Sequence, residues 1–351
     1  MAVSASSLIT DPRELSTLLD LPYEQLAAVH AQYPLRVSRY FLELAKQYGA
    51  PLLKQVIPDL LELQDTETPA DPLDEENLSP VPCLIHKYPD RAVLLVSSEC
   101  ASYCRFCTRK RKVGTKDMVI SPSHLDAAID YIRATPTIVD VLISGGDPLM
   151  LTDAHLDQIL SRVRAIPTVR IIRMGTRMPC MLPARITEDL AAMLAQHHPL
   201  YLNLHFNHPA ELTPEASTAC TLLADAGIPL GSQTVLLRGV NDSAPVLKEL
   251  FYRLLTARVK PYYLFQADLT RGVSHFRTTI HSGQAIMRQL LGYVSGMALP
   301  KYALDTPEGG GKIPLCPNYV QELGEQCLFQ TYTGTHGVYP NTLWPEEGRT
   351  K

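Results

Sequence analysis

Three cysteines, Cys100, Cys104 and Cys107, lie in one short stretch that directly follows an apolar run at 92–96. A structural zinc site and a fully ligated iron–sulfur cluster take four protein ligands, so this spacing supplies one ligand fewer than either needs. Three thiolates on a [4Fe–4S] cluster leave one iron open to a ligand that is not protein. The alternative is a zinc site that a distant Cys or His completes.

A second candidate is Lys312, which ends the glycine-rich segment 308–312. A phosphate-binding P-loop needs Ser or Thr directly after its lysine, whereas this chain has Ile313 at that position. The P-loop interpretation therefore fails. An amine on a flexible loop can instead act as a nucleophile that forms a Schiff base with an aldehyde. The alternative is a loop lysine exposed to water.

The elements that must position these groups alternate between strand-like and helix-like segments from residue 91 onward. Apolar, β-branched runs predict strands, and the segments between them have helical spacing, several with a Ser, Thr or Asp as N-cap. This alternation predicts a parallel sheet with helical crossovers. The predicted strands are 91–97, 138–144, 169–174, 200–206, 230–237, 260–266 and 299–304, and the predicted helices are 121–134, 153–165, 187–197, 213–226, 243–257 and 282–295.

We predict an α/β fold: a partial (βα) barrel of about six βα units with parallel strands and an N-terminal helical extension. An open, doubly wound sheet is the competing arrangement, and periodicity alone does not separate the two. Polar residues end seven successive predicted strands, which favours a barrel, where such ends meet at one rim. The expected regions are 1–85, helical with a loop or linker at 65–82; 86–306, the barrel; and 307–351, the lysine loop and a tail.

Composition disfavours several classes of protein. The chain is 46% hydrophobic and 19% charged, which is typical of a folded protein. A net charge of −4 gives no support for broad nucleic-acid or membrane binding. No apolar run approaches the roughly 18 residues of a membrane span, and the N-terminus lacks the pattern of a secretory signal. We expect a cytoplasmic protein whose clustered cysteines bind metal rather than form disulfides.

Several motifs together resemble the lysine 2,3-aminomutase family of radical S-adenosylmethionine enzymes, which also use pyridoxal phosphate. These motifs are CASYCRFCTRKR, SGGDPLML, LNLHFNHPAE, GSQTVLLRGVND and DTPEGGGKIPLCPNYV, within about residues 52 to 320. The resemblance implies an isomerase that moves the α-amino group of L-lysine from C2 to C3 to give β-lysine. The implied chemistry uses a 5′-deoxyadenosyl radical and a pyridoxal-phosphate aldimine of the substrate.

The resemblance also implies cofactor-binding roles. The three cysteines would bind the [4Fe–4S] cluster, and Lys312 would be the catalytic lysine that carries pyridoxal phosphate. Lys87 stands where we expect arginine; lysine keeps the charge but loses the planar fork. We attribute the glycines at 145 and 146 to an extended ligand that lies against the strand edge. The implied S-adenosylmethionine residues are Ser144, Gly145, Gly146, Asp147, His205, Asn207 and Gln233, and the implied pyridoxal-phosphate residues are Lys312, Lys87, Tyr88 and Arg91.

Three charged residues carry the implied substrate recognition. The Arg109 guanidinium would bind the α-carboxylate, and Asp268 and Asp305 would hold the ε-ammonium group of lysine. The presence of both aspartates favours free lysine as the substrate. The alternatives are arginine, glutamate, lysine destined for elongation factor P, or a non-catalytic iron–sulfur or zinc protein. We expect the basic run 110–112 to be a solvated surface rather than part of the site.

The implied partners are an electron donor, such as a flavodoxin or ferredoxin, and further copies of this chain in a homo-oligomer of uncertain size. Full-length clostridial members of the family carry a zinc site between subunits, built from a cysteine after the VND turn and a C-terminal cysteine cluster. This chain has Ser243 after that turn and no CxC or CxxC near its end. We therefore expect structural zinc to be absent, and we expect no nucleic-acid or membrane partner.

Overall fold

Five α-helices and a short strand pair precede the main sheet, in a computed structural model that describes residues 3–342. The predicted helix over 52–63 is interrupted near Pro58, which lacks an N–H and disfavours helical backbone at the residue before it. These elements are β1 (Leu8–Ile9), α1 (Pro12–Leu19), α2 (Tyr23–Gln32), β2 (Val37–Ser38), α3 (Arg39–Tyr48), α4 (Ala50–Val56) and α5 (Leu61–Gln64).

The main sheet has nine strands, and their spatial order is their order along the chain. Strands β4 to β10 are parallel, whereas the two outermost strands, β3 and β11, run antiparallel to their neighbours. All seven predicted strands are present. The strands are β3 (Leu84–Tyr88), β4 (Arg91–Ser97), β5 (Asp140–Gly145), β6 (Ile171–Thr176), β7 (Leu200–His205), β8 (Leu230–Leu236), β9 (Val259–Gln266), β10 (Lys301–Thr306) and β11 (Gly311–Pro314).

The predicted helices connect the parallel strands and complete six βα units. Ser121, Thr187 and Thr213 act as N-caps as expected, each accepting a hydrogen bond from a backbone N–H in the first turn. Thr152, rather than the predicted Asp153, caps the second helix of this series. The helices are α6 (Pro122–Ala134), α7 (Asp153–Arg164), α8 (Met178–Met181), α9 (Glu188–Ala195), α10 (Pro214–Asp225), α11 (Ala244–Thr256) and α12 (Ile280–Leu290).

The two edge strands approach each other across the seam of the sheet. The backbone N–H of Lys312 in β11 donates to the Tyr88 hydroxyl in β3 at 3.0 Å. A doubly wound sheet would instead reverse its strand order at a switch point. The sequential order and the contact between edges therefore define a nearly closed barrel, and the predicted fold class is confirmed.

The sheet extends across both expected region boundaries. Strand β3 spans residue 85, and β11 follows residue 306 yet pairs with β10. Beyond β11, a small antiparallel sheet follows, formed by β12 (Val320–Glu322), β13 (Gln326–Gln330) and β14 (His336–Pro340). No helix among residues 3–342 is both long enough and apolar enough to span a bilayer.

Successive residues of the barrel strands face two different environments. In β4, Ala92, Leu94 and Val96 are buried in the main hydrophobic core. In β5, Asp140 and Leu142 are only partly buried, and both line the cavity inside the barrel. This alternation is the period-two pattern of a strand. It places the core between sheet and helices and leaves a polar cavity inside.

Candidate active site

The three clustered cysteines lie in the loop between β4 and α6, at the carboxyl end of β4. Burial raises the pKa of the Cys100 thiol, and burial followed by the neighbouring Cys104 raises that of Cys107 to about 11. No three His, Cys, Asp or Glu side chains within residues 3–342 converge closely enough to hold one metal ion. A cubane cluster binds each thiolate through a different iron, so its ligands need not meet at one point.

A buried ion cluster holds this cysteine loop in place. Arg105 and Lys110, which flank Cys107, both contact the Glu62 carboxylate of α5, at 2.6 and 2.5 Å. All three charged side chains are buried. The prediction that 110–112 forms a solvated run is therefore wrong for Lys110, because its ammonium group is the partner that the buried Glu62 requires.

A second buried network reaches the cluster loop from β6. The Arg177 guanidinium donates from Nη1 to Cys104 Sγ at 2.9 Å and pairs with Glu211 at 3.1 Å. The Gln55 amide of α4 also bonds to Glu211, at 2.7 Å, and accepts from the Asn207 amide at 3.0 Å. Asn207 is fully buried, and all of these contacts are within the protein. Its predicted role in S-adenosylmethionine binding stays a prediction.

Glycine is required at position 145, which ends β5, and at position 146 for a structural reason that we did not expect. A Cβ on Gly145 would lie 2.3 Å from the Ser97 carbonyl oxygen, and one on Gly146 would lie 2.3 Å from that of Glu99. Backbone at the end of β4 and just beyond it therefore fills the space where each Cβ would lie. The predicted S-adenosylmethionine contacts of residues 144–147 stay predictions. Asp147 is also buried, and its carboxylate accepts bonds from the Thr176 hydroxyl and from a backbone N–H of the next loop.

One cavity inside the barrel, of about 540 Å³, gathers most of the predicted cofactor and substrate residues. The predicted residues that line it are Lys87, Tyr88, Arg91, Arg109, His205, Gln233, Asp268, Asp305 and Lys312. The three cysteines, the segment 144–147 and Asn207 are not among its lining residues. Ser144 nevertheless lies beside it, because the Arg109 guanidinium approaches its hydroxyl at 3.4 Å.

At one end of the cavity, the Asp305 carboxylate lies between two ammonium groups. Its oxygens are 2.6 Å from Lys312 Nζ and 2.7 Å from Lys87 Nζ. Burial opposes ionisation of Asp305, yet the two cations, led by Lys312, hold its pKa below the usual value. Lys87, predicted to contact phosphate, and Asp305, predicted to hold a substrate ammonium, therefore pair with each other here. Their predicted ligands stay predictions.

Arg109 and Asp268 also face this cavity, and Asp268 lines a smaller neighbouring cavity together with Asp305. Burial raises the pKa of Asp268 to about 6, although its carboxylate accepts a hydrogen bond from Thr108 at 2.9 Å. The Arg109 guanidinium pairs with Glu75, a residue of the loop that precedes β3. That loop lines the cavity with Leu73, Glu75 and Leu78, so it covers the site rather than linking two domains.

The His205 imidazole enters the cavity as a neutral group. Burial, followed by the nearby Arg177 cation, lowers its pKa to about 3. Its Nε2 lies 3.0 Å from Asn207 Oδ1, which is the amide oxygen because Nδ2 donates to Gln55. This contact assigns the ring proton to Nε2 and leaves Nδ1 as an acceptor.

Sequence reasoning missed the residues that support this site, above all Glu75, Glu62, Gln55 and Glu211. Glu75, Glu62 and Gln55 lie outside the recognised motifs, whereas Glu211 is the last residue of LNLHFNHPAE. The partners described above are more than thirty residues away in the chain. The one available signal was charge: an acidic segment at 71–76 precedes the basic run 109–112, and the two pair in the structure. Composition alone does not reveal such pairing.

Comparison with known proteins first identifies the class of enzyme. Residues 94–250 match the family model described as the Radical SAM superfamily. Together with the partial barrel and the three-cysteine loop, this match defines a radical S-adenosylmethionine enzyme, and it supports a [4Fe–4S] cluster and S-adenosylmethionine as cofactors. Among solved structures, coproporphyrinogen III oxidase from Escherichia coli aligns over 60% of this chain and 54% of that chain, with 10% identity and a TM-score of 0.40.

The family follows from the closer matches. Residues 287–348 match the model described as Lysine-2,3-aminomutase. L-lysine 2,3-aminomutase from Clostridium subterminale is 47% identical over 88% of this chain and 75% of that protein. The enzyme of that name from Fusobacterium nucleatum is 51% identical over 77% of this chain and 64% of that protein. The chain belongs to the lysine 2,3-aminomutase family of radical S-adenosylmethionine isomerases, and the predicted class of enzyme is confirmed.

Proposed function

We propose that this protein moves the α-amino group of L-lysine from C2 to C3 and so forms β-lysine. The observation that carries the proposal is the cavity, which brings the Lys312 amine, the Arg109 guanidinium and the carboxylates of Asp268 and Asp305 around one space. An amino acid with a cationic side chain has the charges that complement this set. Relatives named L-lysine 2,3-aminomutase support the same substrate, although the chain spans less than two thirds of the Fusobacterium enzyme.

Pyridoxal phosphate fits the Lys312 end of this cavity. Its aldehyde needs an amine, which Lys312 supplies, and its phosphate needs cations, for which Lys87 and Arg91 line the same end. The rings of Tyr263 and Phe265 stack at 4.8 Å along the wall and offer an apolar surface to a planar ligand. The cavity volume also lies within the roughly 300–1,000 Å³ typical of ligand pockets.

The residues of this chain would bind and orient the substrate and the cofactors, and the cofactors would supply the radical chemistry. When bound, the reduced cluster and S-adenosylmethionine supply a radical that takes hydrogen from the substrate, and pyridoxal phosphate supplies a π system that stabilises the result. Arg109 fixes the α-carboxylate, and Asp268 holds the side-chain ammonium. The neutral His205 adds no charge beside the cluster loop, and Leu73 and Leu78 help to exclude water.

The charged residues of the cavity also discriminate among other possible substrates. An acidic side chain would meet the like charge of Asp268 and Asp305, although a family member from Clostridioides difficile named glutamate 2,3-aminomutase is 42% identical over 94% of this chain. Arginine and lysine destined for elongation factor P keep a cationic group. We also propose a cytoplasmic location, a flavodoxin or ferredoxin as electron donor, and a homo-oligomer.

The test is an anaerobic assay of the reconstituted protein with S-adenosylmethionine, pyridoxal phosphate, dithionite and carbon-13-labelled L-lysine. We expect labelled β-lysine, resolved by chromatography with mass detection. If 5′-deoxyadenosine forms without β-lysine, the radical chemistry stands and the lysine assignment falls; parallel assays with arginine and glutamate then identify the substrate. Iron without sulfide, or zinc alone, in the reconstituted protein would contradict the cluster.

A further inference from the structure

Glu75 lies on the substrate side of Arg109, inside the cavity. Its carboxylate receives hydrogen bonds from Arg109 Nε at 2.9 Å and from Nη2 at 2.7 Å. The two side chains are only 13% and 19% exposed. This is the paired, side-on geometry in which guanidinium groups bind carboxylates. A carboxylate of the protein itself thus occupies the carboxylate-binding edge of Arg109.

The Nη1 group of the Arg109 guanidinium faces Ser144 and Gly145 rather than Glu75. Arg109 Nη1 approaches the Ser144 hydroxyl and the Gly145 carbonyl oxygen, each at 3.4 Å. A carboxylate from outside the chain therefore finds no free pair of N–H donors on Arg109. It can bind side-on only after Glu75 has moved, because two carboxylates at one edge would also repel each other.

The segment that carries Glu75 is held by polar contacts on both sides of that residue. We call residues 71–79 the covering segment. Its anchors include ion pairs from Asp71 to Arg111 at 2.9 Å and from Glu76 to Lys112 at 3.0 Å, and backbone hydrogen bonds from the Glu308 N–H to Pro72 and from the His86 N–H to Leu78. The Asp71–Arg111 pair is largely buried, whereas Glu76 is 58% exposed and its ion pair contributes little to stability. The Glu75–Arg109 pair is the ion pair by which the covering segment reaches the cavity.

We propose that Glu75 is an internal substitute for the substrate α-carboxylate: it pairs with Arg109 in the free protein, and substrate binding displaces it and releases the covering segment. This inference rests on the proposed function. One carboxylate replaces another, so the charge around the buried guanidinium is the same before and after. The exchange favours ligands that carry a free α-carboxylate. An amine without one, such as cadaverine, has no group that can replace the Glu75 carboxylate on Arg109.

The test measures binding to the pyridoxal-phosphate-loaded protein without S-adenosylmethionine, so that no turnover occurs. Cofactor absorbance gives the Kd of lysine, arginine and glutamate for the parent protein, for Glu75→Gln and for the matched control Glu76→Gln, which changes a neighbour that faces Lys112. We expect Glu75→Gln to lower the Kd of lysine about tenfold, because the substrate then displaces a neutral group instead of a charged one. The Glu76→Gln control removes only an exposed ion pair of the covering segment, so it should lower that Kd by no more than about twofold.

A second readout uses the unchanged protein and does not depend on any variant folding. Hydrogen exchange of residues 71–79 should rise when lysine is added and should not rise with cadaverine. Equal or weaker lysine binding by Glu75→Gln, or exchange that stays the same or falls on lysine addition, overturns the inference and leaves the proposed function standing. Failure of the parent and both variants to bind any of the three amino acids contradicts the proposed function, and the inference with it.

Discussion

Lys312 and Asp305, which face each other in the β10–β11 hairpin, are joined by a 2.6 Å ion pair inside the barrel cavity. The hairpin register sets this pair, because the two residues are directly opposite each other. The amine is thus held at a fixed position on a strand rather than on the flexible loop that the glycines suggested.

Lys312→Ala and Cys104→Ala should separate the two cofactor sites. We expect Lys312→Ala to lose the visible absorbance band of covalently bound pyridoxal phosphate, because the variant lacks the Nζ amine that is proposed to carry the cofactor, while its iron and sulfide contents stay unchanged. Cys104→Ala should show the reverse pattern. Absorbance spectra with iron and sulfide analysis check both. Full turnover by Lys312→Ala would show that the lysine is wrongly assigned.

Lys87→Met should strengthen the binding of a cationic substrate. The change removes one of the two ammonium groups on Asp305 and frees a carboxylate oxygen for the substrate. We expect the Kd of lysine to fall by roughly two- to fivefold, the effect of an ion pair of up to about 1 kcal/mol. Lys87→Arg, which keeps the charge, is the control. The dissociation constant of pyridoxal phosphate should rise at the same time, because Lys87 is one of the cations proposed for its phosphate. An unchanged Kd of lysine would contradict the predicted effect on Asp305.

Lysine binding should depend on pH through Asp268. Burial raises the pKa of this carboxyl to about 6, so a proton occupies it at lower pH and must leave before a cation binds. The affinity for lysine should therefore rise between pH 5 and 7, by up to about tenfold per unit below the pKa. Titrations of the parent and of Asp268→Asn test this. The variant should bind weakly with little pH dependence, as should norleucine, which lacks the ammonium group.

Glu62→Gln should destabilise the fold strongly. The substitution leaves Arg105 and Lys110 buried without their shared negative partner, a loss of about 3–5 kcal/mol in the free energy of unfolding. Denaturant unfolding of the cofactor-free protein measures it. Glu14→Gln is the control, because Glu14 pairs with Arg39 at the surface and should cost about 1 kcal/mol at most. Equal effects of both changes would refute the buried cluster's role.

Arg177→Gln should make the cluster harder to reduce. The guanidinium donates to Cys104 Sγ at 2.9 Å and stabilises the additional negative charge of the reduced state. A hydrogen bond to a charged group contributes about 1.5–3 kcal/mol, so the one-electron potential should fall by roughly 60–130 mV. A titration followed by electron paramagnetic resonance checks this. Arg177→Lys keeps the charge and should shift the potential less; an unchanged potential in Arg177→Gln would contradict the contact.

The parallel core of the fold was predictable because its strands are rich in apolar and β-branched residues and alternate with segments of helical spacing, several of which begin at a cap-like residue. The edge strands were not. Strand β3 is only Leu84–Tyr88, and its register with β4 shifts, so its alternation is broken. Strand β11 contains Gly311, Lys312 and Pro314, which have low strand propensity, and it forms because β10 provides an edge to pair with.

The site was predictable where a motif fixes chemistry and spacing together, as with the three cysteines and Lys312. It was not predictable where function depends on a partner distant in sequence. Glu75 is one acidic residue among several in its loop, and only the folded chain brings it to Arg109. The structural reason for glycine at 145 and 146 was likewise not readable from the sequence, because the backbone of Ser97 and Glu99 approaches these two positions only in the folded chain.

The seam between β3 and β11 bears on how a planar ligand could reach the Lys312 amine. Within residues 3–342 no backbone ladder joins these two edges, and the Tyr88 hydroxyl on the Lys312 N–H is a side-chain contact. Separating the edges at this point opens the wall directly beside Nζ, so a planar ring can enter sideways rather than along the barrel axis. A pyridoxal-phosphate ring bound to Lys312, as we propose, would lie beside this seam, so cofactor binding and separation of the two edges would affect each other.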